Sequence, residues 1–317
     1  MRKNLFVFLC CSVPTISYGV GNDLLQEAQD TFNAAKIVCS GISDEISRVS
    51  NVSKINTAVT GVGTVAAGGA LVAGIKKSQE EQEIDKLVEK ICNAGGCTPE
   101  GVKSMSDEDF FNNVMHPMAE IAELQEKLER SKKLGNWRTG LMAGTIGTNV
   151  ASAIISGVNK DQSELIQHIQ ACNEAVKSAD VMSSKLKSEG INPLENPVVK
   201  KLSDIGTWCN SINTADIEKI EKRMTGVMGT SIAGAVIGVA GTATSAAANS
   251  DKYMDEQKRL KLNEQEKNKK NNLNTAANVM AGANVVTGAV ETGINISLIT
   301  LTKKLIRQAE QCEGVFE

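Results

Sequence analysis

Four segments rich in glycine, alanine, valine and threonine constrain this chain more than any other feature. The first, TAVTGVGTVAAGGALVAGI, occupies residues 57–75 and contains no charged residue. The other three lie at about 139–159, 225–250 and 274–302. Each is near the roughly 20 residues that a helix needs to cross a bilayer. We therefore predict four Gly/Ala-rich helices, with more polar stretches between them.

Small residues recur in these segments at helical spacing. In the first segment, Thr60, Gly63, Ala67, Ala70 and Gly74 alternate at intervals of three and four residues, which places them on one stripe of a helix. Another helix can approach such a stripe closely because no large side chain intervenes. The glycines predicted to pack helix against helix are Gly63, Gly74, Gly140, Gly144, Gly147, Gly234, Gly238 and Gly241.

The stretches between the segments have the pattern of amphipathic helices. Residues 161–223 contain apolar-faced stretches separated by a turn with Gly190 and two prolines, which predicts a helical hairpin. Residues 251–273 form a polar, lysine-rich connector. The predicted fold class is all-α, a single domain over residues 20–317. It is a helical bundle built on the four Gly/Ala-rich helices, with additional amphipathic helices.

The N-terminus has the pattern of an export signal. Two basic residues precede an apolar run at residues 5–13, and small residues follow it. This pattern predicts a signal peptide over residues 1–19, removed on export to the cell envelope, meaning periplasm or membrane, or to the medium. A lipoprotein signal or an uncleaved anchor is the alternative, because Cys10 and Cys11 lie in this region.

Six cysteines remain after that cleavage, and an even number in an exported chain favours disulfides. Proximity along the chain favours the pairs Cys92–Cys97, Cys172–Cys209 and Cys39–Cys312. The first pair brackets a short glycine-containing loop, the second lies within the hairpin, and the third joins the two ends. Zinc is the competing interpretation, but the spacing is poor and His116 and His168 are the only histidines. We predict no metal site.

The first segment partly matches two nucleotide-binding sequence patterns, but neither match is complete. Ile75 stands between Gly74 and Lys76, so the lysine of a phosphate loop is out of register. A helical pattern follows, where a dinucleotide fold needs a strand. The chain has no Ser/His/Asp or Cys/His arrangement of recognisable spacing. We therefore predict no catalytic residue, no cofactor, no small-molecule substrate and no enzymatic activity, and the net charge of −3 does not favour nucleic acid.

Several stretches together resemble a known group of proteins. They are CSGISDEIS, SKINTAVTGVGTVAAGGAL, KKLGNWRTGLMAGTIGTN, TGVMGTSIAGAVIGVAGT and the C-terminal QCEGVF. The chain is similar to exported, small-residue-rich helical proteins of gut-associated Alphaproteobacteria. This resemblance covers most of the mature chain and implies bacterial origin and export. No activity is attached to that group, so no site residue carries over.

Three classes of function stay open. The first is a non-enzymatic envelope protein, a membrane-embedded or membrane-associated helical scaffold that forms homo-oligomers through its glycine stripes. The second is a secreted membrane-inserting or pore-forming effector, and the third is a soluble periplasmic bundle that binds a protein partner. The segments are diluted by polar residues, and Glu291 interrupts the fourth, where a buried charge is expensive. The sequence thus leaves membrane crossing and a soluble bundle as alternatives.

Overall fold

The described structure, a computed structural model, covers residues 20–94, 106, 119–193, 196–210 and 212–317. Regular structure in these ranges is helical and includes no strand, which confirms the all-α class. The helices are α1 Val20–Cys39, α2 Ile42–Ala94, α3 Ala119–Val158, α4 Ser163–Ser188, α5 Pro197–Cys209, α6 Thr214–Ala248, α7 Asp251–Met254, α8 Glu256–Leu260 and α9 Glu264–Glu313. The predicted signal peptide, Cys97 and His116 lie outside the described residues.

The contacts divide the chain into two compact units. The terminal unit comprises residues 20–45, 164–214 and 305–317, and the bundle unit comprises residues 46–163 and 215–304. The sequence predicted one domain, whereas the contacts resolve two units, to both of which α2 and α9 contribute residues.

Buried positions in the long helices follow a strict seven-residue repeat. In α6, after Asp216 in the first turn, they are Ile217, Ile220, Met224, Val227, Ser231, Gly234, Gly238, Gly241, Ser245 and Ala248, at intervals of three and four. The same alternation runs through α2, α3 and α9. A mean interval of 3.5 residues is slightly shorter than the 3.6 residues of a helical turn, and it is typical of helices packed along a coiled-coil seam.

Cross-helix pairs in the bundle unit give the direction of each helix. These pairs are Asn56 with Ser156 and Asn295, Glu81 with Ser131 and Lys270, Ser231 with Ser152, and Ser245 with Arg138. As the residue number increases along α2, the numbers of its partners on α3 and α9 decrease, so α3 and α9 are antiparallel to α2. In the same way, α6 is antiparallel to α3. The unit is therefore an up-down-up-down four-helix bundle.

One end of the bundle unit has an apolar core and a charged exterior. Its core residues are Ile84, Leu87, Val88, Ile91, Cys92, Ile121, Leu124, Leu128 and Leu260. On the outside, ion pairs join Lys127 to Glu83 at 2.5 Å and Lys133 to Glu129 at 2.8 Å. This distribution is the one expected of helices that pack in water.

The terminal unit contains two disulfides, Cys39–Cys172 and Cys209–Cys312. The predicted pairs Cys172–Cys209 and Cys39–Cys312 are therefore wrong, although all four cysteines are bonded. Packing decides the partners: the end of α1 lies beside α4, and the end of α5 lies beside the last turn of α9. The Sγ atoms of Cys39, Cys172 and Cys312 lie within 4.8 Å of one another, so sulfurs of both bonds are neighbours. Cys92 is buried, and its pairing with Cys97 stays a prediction.

Candidate functional site in the polar interior of the bundle unit

The middle of the bundle unit has aliphatic side chains outside and polar side chains inside. Its exposed aliphatics are Val62, Val65, Val72 and Ile75 of α2, Val150, Ile154 and Val158 of α3, Ile232, Val236 and Val239 of α6, and Val279, Val286, Val290 and Ile296 of α9. Its buried polar residues include Asn56, Thr60, Thr145, Asn149, Ser152, Ser156, Ser231, Ser245, Asn284, Glu291 and Asn295. A protein surrounded by water usually has the reverse distribution, with apolar side chains inside and polar side chains outside.

The dimensions of this middle region match a bilayer. From Ile55 to Ile75, both exposed, α2 rises about 30 Å, which is the thickness of a typical hydrocarbon core. The four Gly/Ala-rich segments contain one charged residue, Glu291, and it is only 1% exposed. Within the described residues, four helical stretches are long and apolar enough to cross a membrane.

Glu291 lies at a level where all four helices contribute oxygen atoms. Ser231 Oγ is 2.6 Å from Glu291 Oε1 and 2.9 Å from Ser152 Oγ, and Ser152 also hydrogen-bonds to Oε1. Thr60 Oγ1 lies 3.4 Å from Thr292 Oγ1 on the remaining side. No lysine, arginine or histidine in the described ranges forms an ion pair with Glu291.

One turn away lies a layer of amides. Asn56 Nδ2 donates to Ser156 Oγ at 2.8 Å and to Asn295 Oδ1 at 3.5 Å. The other amide atoms, Asn56 Oδ1 and Asn295 Nδ2, are buried and lack a hydrogen-bond partner among the described residues. Buried polar atoms without partners are uncommon, so this layer has unused hydrogen-bonding capacity beside the carboxyl group.

In the other direction the polar interior is closed by an apolar layer. Asn284 Nδ2 donates to Thr145 Oγ1 at 3.4 Å, and beyond this pair the interior changes character. Three buried residues, Ala70, Met142 and Ala281, meet there, with Leu71, Leu141 and Met280 packed against them. The layer separates the Glu291 level from a cationic cluster.

The cationic cluster begins with Arg138, which is fully buried and donates to neutral groups. Its guanidinium donates to Ser245 Oγ at 2.8 Å and to Asn278 Oδ1 and Asn274 Oδ1 at 3.1 Å. Next to it, Lys77 Nζ donates to the Ala248 carbonyl at 3.3 Å. Burial lowers the pKa of Lys77 to about 7, and repulsion from the nearby arginines adds to the shift.

The cluster ends in a buried ion-pair network. Lys270 forms an ion pair with Glu81, which also accepts from Ser131 Oγ at 2.5 Å and lies 3.2 Å from the Arg259 guanidinium. Arg259 also pairs with Asp85. Counting Lys77 and Arg138, four buried basic side chains meet two carboxylates here, so basic groups outnumber acidic ones in the cluster.

The predicted helix-packing glycines fall into two groups. A Cβ atom on Gly63, Gly74, Gly234, Gly238 or Gly241 would lie within 3.0 Å of a side chain on a neighbouring helix. For Gly238 the nearest atom would be Ile146 Cγ1 at 2.8 Å. A Cβ atom on Gly140, Gly144 or Gly147 would meet nothing within 4 Å.

The prediction is therefore wrong within this chain for those three glycines of α3, which lie on its exposed face. The buried seam of α3 instead contains Arg138, Met142, Thr145, Asn149 and Ser152, at the same intervals. Sequence reasoning missed these residues because it followed glycine. A polar residue at every third or fourth position, opposite an aliphatic face, was the signal that could have found them.

Comparison with family models, with curated proteins and with solved structures finds no match to this chain. The fold and the site define a class by geometry alone: a helical protein whose four-helix bundle is polar inside and aliphatic outside in its middle region.

Proposed function

We propose that the chain is an integral membrane protein of the bacterial cell envelope, a non-enzymatic helical scaffold with a hydrophilic interior. The observation that carries this proposal is the placement of charge in the four Gly/Ala-rich segments. Their only charged residue, Glu291, faces the interior, while valine and isoleucine face outwards. Lipid favours this distribution, because a charge facing hydrocarbon is expensive and an exposed valine is not.

The charge and cysteine pattern supports a topology of four crossings. An even number of crossings leaves the mature N-terminus, residues 160–224 and the C-terminus on one side of the membrane. All four disulfide-bonded cysteines belong to those parts, which suits the oxidising exterior side. The lysine-rich connector at 251–273 then lies inside, as the positive-inside tendency prefers, although basic residues of 219–223 oppose it.

The two other classes of function make different demands on the same faces. A soluble bundle would leave the outward valines and isoleucines of four helices in water, where large apolar patches mark binding sites. A membrane-inserting effector would use the same faces after release into the medium. The exposed face of α3 with Gly140, Gly144 and Gly147 offers a close-packing surface to a second copy in the membrane, which keeps homo-oligomerisation within the proposal.

The test is fractionation of cells that express the full chain, with carbonate extraction of the membranes. We expect the protein to stay in the carbonate-resistant pellet, and external protease to leave the 76–138 loop intact. Recovery as a soluble periplasmic protein would refute the proposal in favour of the soluble bundle. Recovery from the medium, with leakage of liposomes on addition of purified protein, would favour the effector.

A further inference from the structure

The Glu291 level of the bundle unit provides a site for a cation. Glu291 is buried, and the side chains that hydrogen-bond to it are the hydroxyls of Ser152 and Ser231. From α2, the Thr60 hydroxyl lies beside the next residue, Thr292. None of these groups can neutralise a carboxylate. An uncompensated charge inside a protein is very expensive, and such a group takes up a proton or a counter-ion instead.

The two arginines on the interior side of α3 and α6 in the described residues are too distant to serve. Arg138 lies on the α3 seam 14 residues before Ser152, which is about 21 Å along the helix. Arg223 lies eight residues before Ser231 on α6, about 12 Å away along the axis, and donates to the Ser297 carbonyl at 3.2 Å. Since no basic side chain in the described residues pairs with Glu291, we look for its counter-charge in a bound cation.

The chemistry of the level indicates which cation fits. All its ligand atoms are oxygens, from one carboxylate and several hydroxyls, which suits a proton or a hard metal ion. A single carboxylate balances one positive charge, so a divalent ion would leave the interior with a net charge. One turn away, Asn56 Oδ1 is a further buried oxygen, without a hydrogen-bond partner among the described residues.

We propose that Glu291 and the hydroxyl oxygens of Ser152 and Ser231 bind one monovalent cation, H⁺ or Na⁺, in the interior of the bundle unit. Polar residues continue from Glu291 through Asn56 and Asn295, whereas the layer around Met142 closes the opposite direction.

The free-energy cost assigned to an unneutralised Glu291 carboxylate rests on the proposed membrane location. The test itself does not require a membrane. Purified full-length protein in detergent is unfolded by heat, and the Tm of the wild type is compared with that of E291Q. Glutamine keeps the size of the side chain and a carbonyl oxygen for the two serines, but it carries no charge and binds no proton. One series varies NaCl against choline chloride at constant pH, and the other varies pH from 5 to 8 without Na⁺.

A Na⁺ site predicts that NaCl raises the wild-type Tm by roughly 5–10 °C at about 100 times Kd, with no effect on E291Q. A proton site predicts no Na⁺ effect, and a wild-type Tm that falls relative to that of E291Q as the pH rises. The proposal is overturned if the Tm difference between the two proteins is constant in both series, or if Na⁺ stabilises both equally.

A second variant covers the case in which E291Q does not accumulate. S231A removes one oxygen ligand and keeps the carboxylate, so it should raise the Na⁺ concentration at half-maximal stabilisation roughly 10-fold or more. For a proton site, S231A should change the pH dependence of the Tm relative to the wild type. Identical Na⁺ and pH responses in S231A and the wild type would contradict the assigned ligands. Carbonate extraction reports membrane integration separately, so failure of either proposal can be recognised alone.

Discussion

The outward face of α2 can be tested with two lysine substitutions at equally exposed positions. Val65 is 76% exposed and lies one residue from the midpoint of the 57–75 segment. Ile37 is 74% exposed and lies on α1, outside the four segments. If both side chains face water, either change to lysine should alter stability by no more than about 0.5 kcal/mol.

A bilayer predicts a different result at Val65 alone. Lysine near the centre of a crossing helix costs about 2.5–3.5 kcal/mol on insertion scales, and the favourable contribution of about 0.3–0.6 kcal/mol from an aliphatic residue is also lost. The sum is about 3–4 kcal/mol, which corresponds to a loss of more than roughly 100-fold in the insertion equilibrium. Because Val65 is near the midpoint, its lysine would also have the longest distance to extend to either interface.

The assay is the amount of carbonate-resistant protein per cell, with total expression measured on the same samples. We expect Val65→Lys to lose most of that fraction, and Ile37→Lys and Val65→Leu to keep it. Equal retention of both lysine variants would refute the membrane assignment of this face. Equal loss in both would show that the effect of Val65→Lys does not come from the bilayer.

Three further predictions test the seam, the cationic cluster and the disulfides. Gly238→Leu should lower the Tm by roughly 2–10 °C in detergent, because its Cβ would lie 2.8 Å from an isoleucine carbon. Gly144→Leu should leave the Tm of the monomer nearly unchanged. Equal effects of the two variants on the Tm would contradict the assigned seam. Raising the pH from 7 to 9 should stabilise the wild type by about 1.4 kcal/mol per pH unit relative to Lys77→Met. The reason is that Lys77 has a pKa of about 7 in the folded state and loses its proton there, whereas in the unfolded chain it keeps the proton until about pH 10.5. Parallel curves of Tm against pH for the two proteins would refute this. Cys172→Ser should yield a free thiol at Cys39 by mass spectrometry, and a free thiol at Cys209 instead would contradict the pairing.

The sequence was sufficient to locate the seam of α2 but not that of α3. On α2 the residues from Thr60 to Gly74 are small and lie on the buried stripe, so a search for close packing found the correct face. On α3 the same search found Gly140 and Gly144, which repeat at helical spacing on the exposed face. Periodicity shows that a helix has two faces, but it does not show which one is buried when the surrounding solvent is unknown.

The prediction of the disulfide pairs failed for a related reason. Cys172 and Cys209 are close in sequence, and their partners, Cys39 and Cys312, are more than 100 residues away from them. Local spacing carries no information about which helices become neighbours in a packed unit. The predicted helical class, by contrast, rested on local patterns and is confirmed.

The seam itself gives the strongest argument that the surroundings change along the bundle. Its seven-residue repeat continues without interruption from the apolar core around Ile84 to the polar interior around Thr60, so the packing geometry is the same in both regions. Only the chemistry reverses: Glu83 lies outside the first region, and Val65 lies outside the second. A difference in helix packing would have altered the repeat. Under the proposed membrane location, a change of solvent from water to hydrocarbon would reverse the chemistry of inside and outside while leaving the repeat intact. It would also explain why Glu291 faces the interior, where we place the cation.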